Sequence, residues 1–197
     1  NGFVAKGLND NGFETTLIEP GPRGAINAKK RGLKNVICAT LEDIGFEKDS
    51  IDAFGLFDVL EHIEDDKKFL DNLNELLVPS GKLYLTVPAF NTLWSYDDKY
   101  AGHFKRYTKK TLNQVLEKAG FKTLYFSYFF SPLPPAVLLL RCLPSWLGIR
   151  NSLDEEINEV TEKEHAPKKG IGGQILNKIL ESELNRIAWP VNTEIEP

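Results

Sequence analysis

Apolar positions in this chain follow two periods, and the periods alternate. Short apolar runs at Thr15–Glu19, Asn35–Ala39, Ile51–Phe57 and Lys82–Val87 read as strands. Helical spacing fills the gaps between them. Phe3–Asp10 carries Val4 and Leu8 one turn apart and closes at Asn11-Gly12. Pro20–Arg31 reads as a loop and then a helix stopped by Gly32. Asp65–Leu77 is the clearest helix: acidic residues start it, Phe69, Leu70, Leu73, Leu76 and Leu77 form one stripe, and Pro79-Ser80-Gly81 ends it. Thr108 can cap a helix bearing Leu112, Val115, Leu116 and Ala119, closed by Gly120, and the aromatic run Phe121–Phe129 reads as a further strand. Strict alternation of strand and helix implies parallel crossovers. The expected fold is therefore α/β, a Rossmann-like, doubly wound and mostly parallel sheet with helices on both faces.

Past Phe130 the pattern changes. Ser131–Gly148 is apolar and punctuated by proline, Asp154–Glu164 is acidic, and Ala166–Gly173 reads as a joint. Gln174–Ile187 then stacks Leu176, Leu180 and Leu184 as a second amphipathic helix. Two parts are expected: residues 1–130 as the α/β domain, and 131–197 as an apolar, helical C-terminal extension packing on it. The apolar run between Tyr125 and Gly148 is expected to be core, with an acceptor wall or a membrane-surface contact as the alternatives.

Composition narrows the partners. Apolar and charged fractions of 42% and 26% are those of an ordinary globular protein. A net charge of −4 argues against a nucleic-acid backbone as the main partner. Cys38 and Cys142 have no cysteine or histidine neighbour at ligand spacing, so buried free thiols in a reducing, cytoplasmic setting are expected, and no metal. The run Leu133–Leu140 is too short to span a bilayer, although peripheral membrane contact stays open. The sequence leaves the oligomeric state undetermined.

Two strands end on a carboxylate: Ile51–Phe57 runs into Asp58, and Thr15–Ile18 into Glu19. Ligands of open α/β sheets sit at the carboxyl ends of strands, and an acid there can accept hydrogen bonds from both hydroxyls of a ribose. Gly2 precedes the first helix and reads as the last glycine of a nucleotide-binding turn that begins upstream of Asn1. Thr40-Leu41-Glu42-Asp43 leaves the next strand and could meet an adenine ring.

The run Phe57-Asp-Val-Leu-Glu-His-Ile63, followed by Leu77-Val-Pro-Ser-Gly-Lys-Leu-Tyr-Leu-Thr-Val-Pro88, resembles class I S-adenosylmethionine-dependent methyltransferases. The ubiquinone/menaquinone-biosynthesis type is the nearest in pattern, and the likeness spans roughly Asn1 to Phe130. It implies S-adenosyl-L-methionine as cofactor. Asn1 and Gly2 would be the tail of the glycine-rich motif, and Glu19, followed by Pro20, the ribose-binding acid. Thr40 and Leu41 would flank adenine, and Phe57, Asp58 and Val59 would line the methionine arm. Thr40 stands where many relatives carry aspartate, which moves adenine recognition onto backbone groups.

The loop Trp94–Tyr107 is crowded with aromatic and charged residues, as an acceptor site or lid would be. Trp94, Arg106 and Tyr107 are its candidate acceptor contacts. His103 could act as a general base, or could with Arg106 pin the loop. His62 is expected to be structural, and His165 to have no role. The function implied is methyl transfer to a small-molecule acceptor. An NAD(P)-dependent oxidoreductase and a non-catalytic binding protein are the alternatives.

Overall fold

The computed structural model describes residues 1–130, 133–148, 178, 181–183 and 187. The amphipathic segment expected at Gln174–Ile187 and the acidic one at Asp154–Glu164 lie wholly or mostly outside them. The chain divides into two compact units, one of Asn1–Phe57 with Asn72–Leu85, the other of Asp58–Asp71 with Thr86 onward.

The first unit opens with α1 (Phe3–Asp10), followed by β1 (Leu17–Ile18), α2 (Pro22–Lys30), β2 (Val36–Ile37), α3 (Leu41–Ile44) and β3 (Ile51–Phe57). β1 and β2 pair in parallel, Leu17 opposite Val36 and Ile18 opposite Ile37. The backbone N–H of Glu19 donates to the Ile37 carbonyl at 3.0 Å, which anchors the strand exit. Proline is tolerated in the first turn of α2, whose N–H groups have no helical partner. On that helix Ala25 and Ala28 are buried, and small residues there allow close packing.

α4 (Asp66–Leu76) matches the clearest helical pattern in the chain, with Leu70 and Leu73 buried. A buried leucine contributes roughly 1.5–3 kcal/mol. The helix ends sooner than the Pro-Ser-Gly signal implied, and β4 (Leu77–Thr86) begins at once. Ser80 adopts φ 68 within it. Ser50 N–H donates to the Leu76 carbonyl and Asp58 N–H to the Thr86 carbonyl, so β3 and β4 run in one direction. β4 carries extra residues over that span, which the left-handed Ser80 absorbs as a bulge does.

The second unit contains a 3-10 turn at Leu60–His62, α5 (Tyr96–Tyr100), α6 (Lys109–Lys118), α7 (Pro134–Val137) and α8 (Leu143–Trp146). A single wider turn, Leu138–Cys142, joins the last two. Thr108 caps α6 as the sequence implied, accepting from the Thr111 N–H, and Leu112 and Leu116 are buried. Parallel strands alternating with helices make this a Rossmann-like α/β fold.

Two expectations are corrected. Phe121–Phe129 is not a strand among the described residues. Its ends are bonded elsewhere, Phe121 N–H to the Leu116 carbonyl and Phe130 N–H to the buried Glu183 carboxylate at 2.6 Å. The 125–148 region is not simply core, since Tyr125, Phe129, Phe130, Leu139, Leu140, Trp146 and Leu147 are exposed. Its polar groups still fasten it down: Trp146 Nε1 donates to the Trp94 carbonyl at 3.1 Å, and the Ser145 hydroxyl accepts from Tyr96 N–H at 2.9 Å. No helix among the described residues is long and apolar enough to cross a membrane.

Candidate active site

Glu19 leaves β1 and turns its carboxylate over the start of α2. Oε1 accepts from the Gly21 N–H at 3.2 Å, and Oε2 lies 2.7 Å from the Asn1 backbone nitrogen. Asn1 and Glu19 are thus neighbours. Gly24 makes room for this acid: a Cβ there would sit 2.4 Å from Glu19 Cδ. Because the obstructed atoms end a flexible side chain, Gly24→Ala should fold normally and push the carboxylate aside. We expect little change in melting temperature, and at least a several-fold loss of affinity by calorimetry for any ligand that Glu19 holds.

Gly2 has a duty that its place in the sequence did not reveal. It holds φ 79, and a Cβ on it would come 2.7 Å from both Ala28 Cβ and Leu33 Cδ1. The missing side chain therefore lets the chain entering α1 pass close to Ala28 of α2 and to Leu33. Thr40 begins α3 with a reciprocal cap, its hydroxyl 2.6 Å from Asp43 Oδ2. Its side chain is therefore committed to Asp43, leaving Leu41 as the apolar group at that turn. Pro20 accepts a long contact from the Cys38 thiol at 4.0 Å, and Cys38 is exposed, unlike the expectation of two buried thiols.

Phe57 closes β3, its ring lying where a Cβ on Gly55 would stand. Asp58 follows with φ 54, a left-handed conformation unusual outside glycine. Thr86 holds it there: the Thr86 hydroxyl accepts from the Asp58 N–H at 3.2 Å and donates to Oδ1 at 3.1 Å. Val59 leads directly into the Leu60–His62 turn.

In the second unit, the 94–107 loop is organised around Asp98, which is 1% exposed. Arg106 grips it with two bonds, Nε to Oδ1 at 2.7 Å and a terminal nitrogen to Oδ2 at 3.0 Å. The Ser95 N–H adds a third at 2.9 Å, and His103 Nδ1 lies 3.0 Å from Oδ1. Burial alone would raise the Asp98 pKa, but the bonds from Arg106, Ser95 and His103 outweigh it and hold the carboxyl below its ordinary value.

Arg106 and Tyr107, the expected acceptor contacts, both have protein partners in the structure. The remaining terminal nitrogen of Arg106 donates to the Ala89 carbonyl at 3.1 Å. Tyr107 is buried, with its hydroxyl 2.9 Å from Asp66 Oδ2 and 3.4 Å from the Leu60 carbonyl. Burial and the Asp66 charge push its phenol pKa far upward, so it stays protonated and donates. Trp94 remains half-buried. His103 is held by Asp98 through Nδ1 at 3.0 Å.

One juxtaposition is not visible in the sequence. The Leu60–His62 turn and the 103–107 loop are laced together by Phe104 N–H to the Glu61 carbonyl at 2.8 Å and by Lys105 Nζ to the Glu64 carbonyl at 3.0 Å. That lacing brings Glu61, His62 and His103 into one cluster. Glu61 is buried, and burial first, then the Asp58 charge, raise its pKa against the lowering effects of its own backbone N–H, His103 and Arg106. A buried acid beside two histidines was the available signal, but nothing local says that His103 returns to it.

The fold is that of a Rossmann-like α/β protein. The chain belongs to the methyltransferase-domain family, whose model matches residues 1–125. Among solved structures it is similar to a chain in the Haloferax volcanii complex between the Trm112 methyltransferase activator and a methyltransferase. The identity is 17% and the TM-score 0.53, over 60% of this chain and 56% of that one. The chain thus spans little more than half the length of that neighbour. No curated protein matches the sequence.

Proposed function

We propose that this chain transfers a methyl group from S-adenosylmethionine to a small-molecule acceptor. The observation that carries the reading is the Glu19 carboxylate at the β1 exit, beside Asn1 and over the glycine-lined start of α2, in a chain of the methyltransferase-domain family. In this reading Glu19 would accept from the ribose hydroxyls, Asn1 and Gly2 would precede α1 at the cofactor, Leu41 would meet the adenine, and Phe57 would face the methionine arm. Residues 1–130 would form the cofactor-binding domain, with the 94–107 loop serving the acceptor and 131–197 extending from it.

The bound cofactor supplies a sulfonium-activated methyl, so the protein needs to contribute alignment more than acid–base power. Alignment alone can lower a barrier by about 7–11 kcal/mol. The network around Asp98 serves that purpose by fixing the loop and one nitrogen of His103. Exposed Leu139, Leu140, Trp146 and Leu147 favour an acceptor with apolar character.

Calorimetry with S-adenosylhomocysteine and with NADH tests the reading. We expect saturable binding of the first and none of the second. Glu19→Ala removes a charged hydrogen-bond acceptor, which is worth about 1.5–3 kcal/mol, or roughly a 10- to 100-fold loss of affinity. Binding of NADH alone would move the chain to the oxidoreductases, and binding of neither would make it a non-catalytic relative.

A further inference from the structure

Glu61 and His62, to which the methyl-transfer reading gives no part, cluster with His103. One ligand atom from each residue lies within 4.8 Å of the other two. Glu61 is 1% exposed, and its Oε2 has no hydrogen-bond partner among the described residues. A buried carboxylate oxygen left bare is costly, and native structures rarely carry one without a partner to explain it. Neither imidazole hydrogen-bonds to Glu61 among the described residues. Their rings instead pack edge to face, with centroids 4.7 Å apart.

The surroundings of His103 point the same way. Asp98 Oδ1, 3.0 Å from Nδ1, favours the tautomer that carries its proton on Nδ1 and presents Nε2 to a ligand. Asp98 is itself locked by the two-pronged grip of Arg106. A carboxylate that orients an imidazole from behind is the usual outer shell of a metal-binding histidine. The Phe104–Glu61 backbone bond holds the two contributing segments together without any ion.

We infer that Glu61, His62 and His103 form a binding site for one divalent transition-metal ion. Two imidazole nitrogens and one carboxylate oxygen suit zinc, cobalt or iron, whereas magnesium and calcium favour all-oxygen sets. Three protein ligands leave coordination positions for water or a substrate oxygen. The site goes beyond the methyl-transfer reading and does not depend on it.

The test uses the whole chain, stripped with a chelator, with zinc alone titrated by calorimetry and cobalt alone followed through its visible d–d absorption. One ion per chain is expected. Glu61→Gln, His62→Ala and His103→Ala should each weaken binding at least tenfold. Asp98→Asn should weaken it by roughly 10- to 100-fold through the outer shell, and His165→Ala should leave it unchanged. His62 is exposed, so its variant keeps the test valid even if the buried Glu61 variant proves unstable in thermal melts. Absence of saturable binding overturns the inference, as does binding that survives all three ligand variants or is lost in His165→Ala. S-adenosylhomocysteine titrated into the metal-free protein reports on the cofactor reading separately, so the two can fail independently.

Discussion

Replacing Asp98 by alanine should destabilise the protein by about 3–5 kcal/mol, the usual cost of stranding a buried charge. The stranded group is Arg106, whose side chain is only 11% exposed and whose Nε and one terminal nitrogen both donate to Asp98. The same change frees His103 and removes the acceptor for Ser95 N–H. Urea denaturation followed by circular dichroism measures the effect. Arg106→Lys should recover only part of the stability, since a lysine cannot reproduce the two-pronged grip.

The network also predicts a pH dependence. The native state holds the Asp98 carboxyl below its ordinary 3.8, so it favours the ionised form. That contribution is fully present above 3.8 and is lost as pH falls toward and through the lowered native value. Asp98→Ala should flatten the acid limb of the stability profile. An unchanged limb together with a loss below 1 kcal/mol would show that the loop is not organised around this acid.

Tyr107→Ala is expected to rival it, at about 3–5 kcal/mol, as truncations of buried aromatic residues do. Tyr107→Phe divides that cost. It keeps the ring and removes only the donor shared by Asp66 and the Leu60 carbonyl, which should cost about 1–2 kcal/mol. Had Tyr107 contacted the acceptor, the phenylalanine variant would change KM and leave the unfolding midpoint in place. We expect the reverse, a lower midpoint with KM within error of the parent.

The features legible in the sequence are those set by neighbours along the chain. The α4 stripe, the Thr108 cap on α6 and the acid at the end of β1 all follow from local spacing, and each stands where that spacing put it. The start of β4 at Leu77 rather than Lys82 is not legible, because Pro79-Ser80-Gly81 reads equally as a helix stop and as a kink inside a strand. The aromatic run at 121–129 has strand composition, but composition supplies no pairing partner, and its terminal amides are bonded to a helix end and to Glu183.

The side chains between Asp98 and Tyr107 show the same limit. Aromatic and charged residues in a loop are equally consistent with contacting a ligand and with holding the loop in place, and only their partners distinguish the two. By itself, then, the sequence determined the alternation of elements, the helix caps and the position of Glu19, because these depend on spacing within one strand or helix. The tertiary structure alone decided that Gly2 packs against Ala28, that Tyr107 is buried on Asp66, and that Glu61, His62 and His103 share one cluster. Each of those joins segments far apart in the chain, and such contacts follow from the backbone closing on itself rather than from any local pattern.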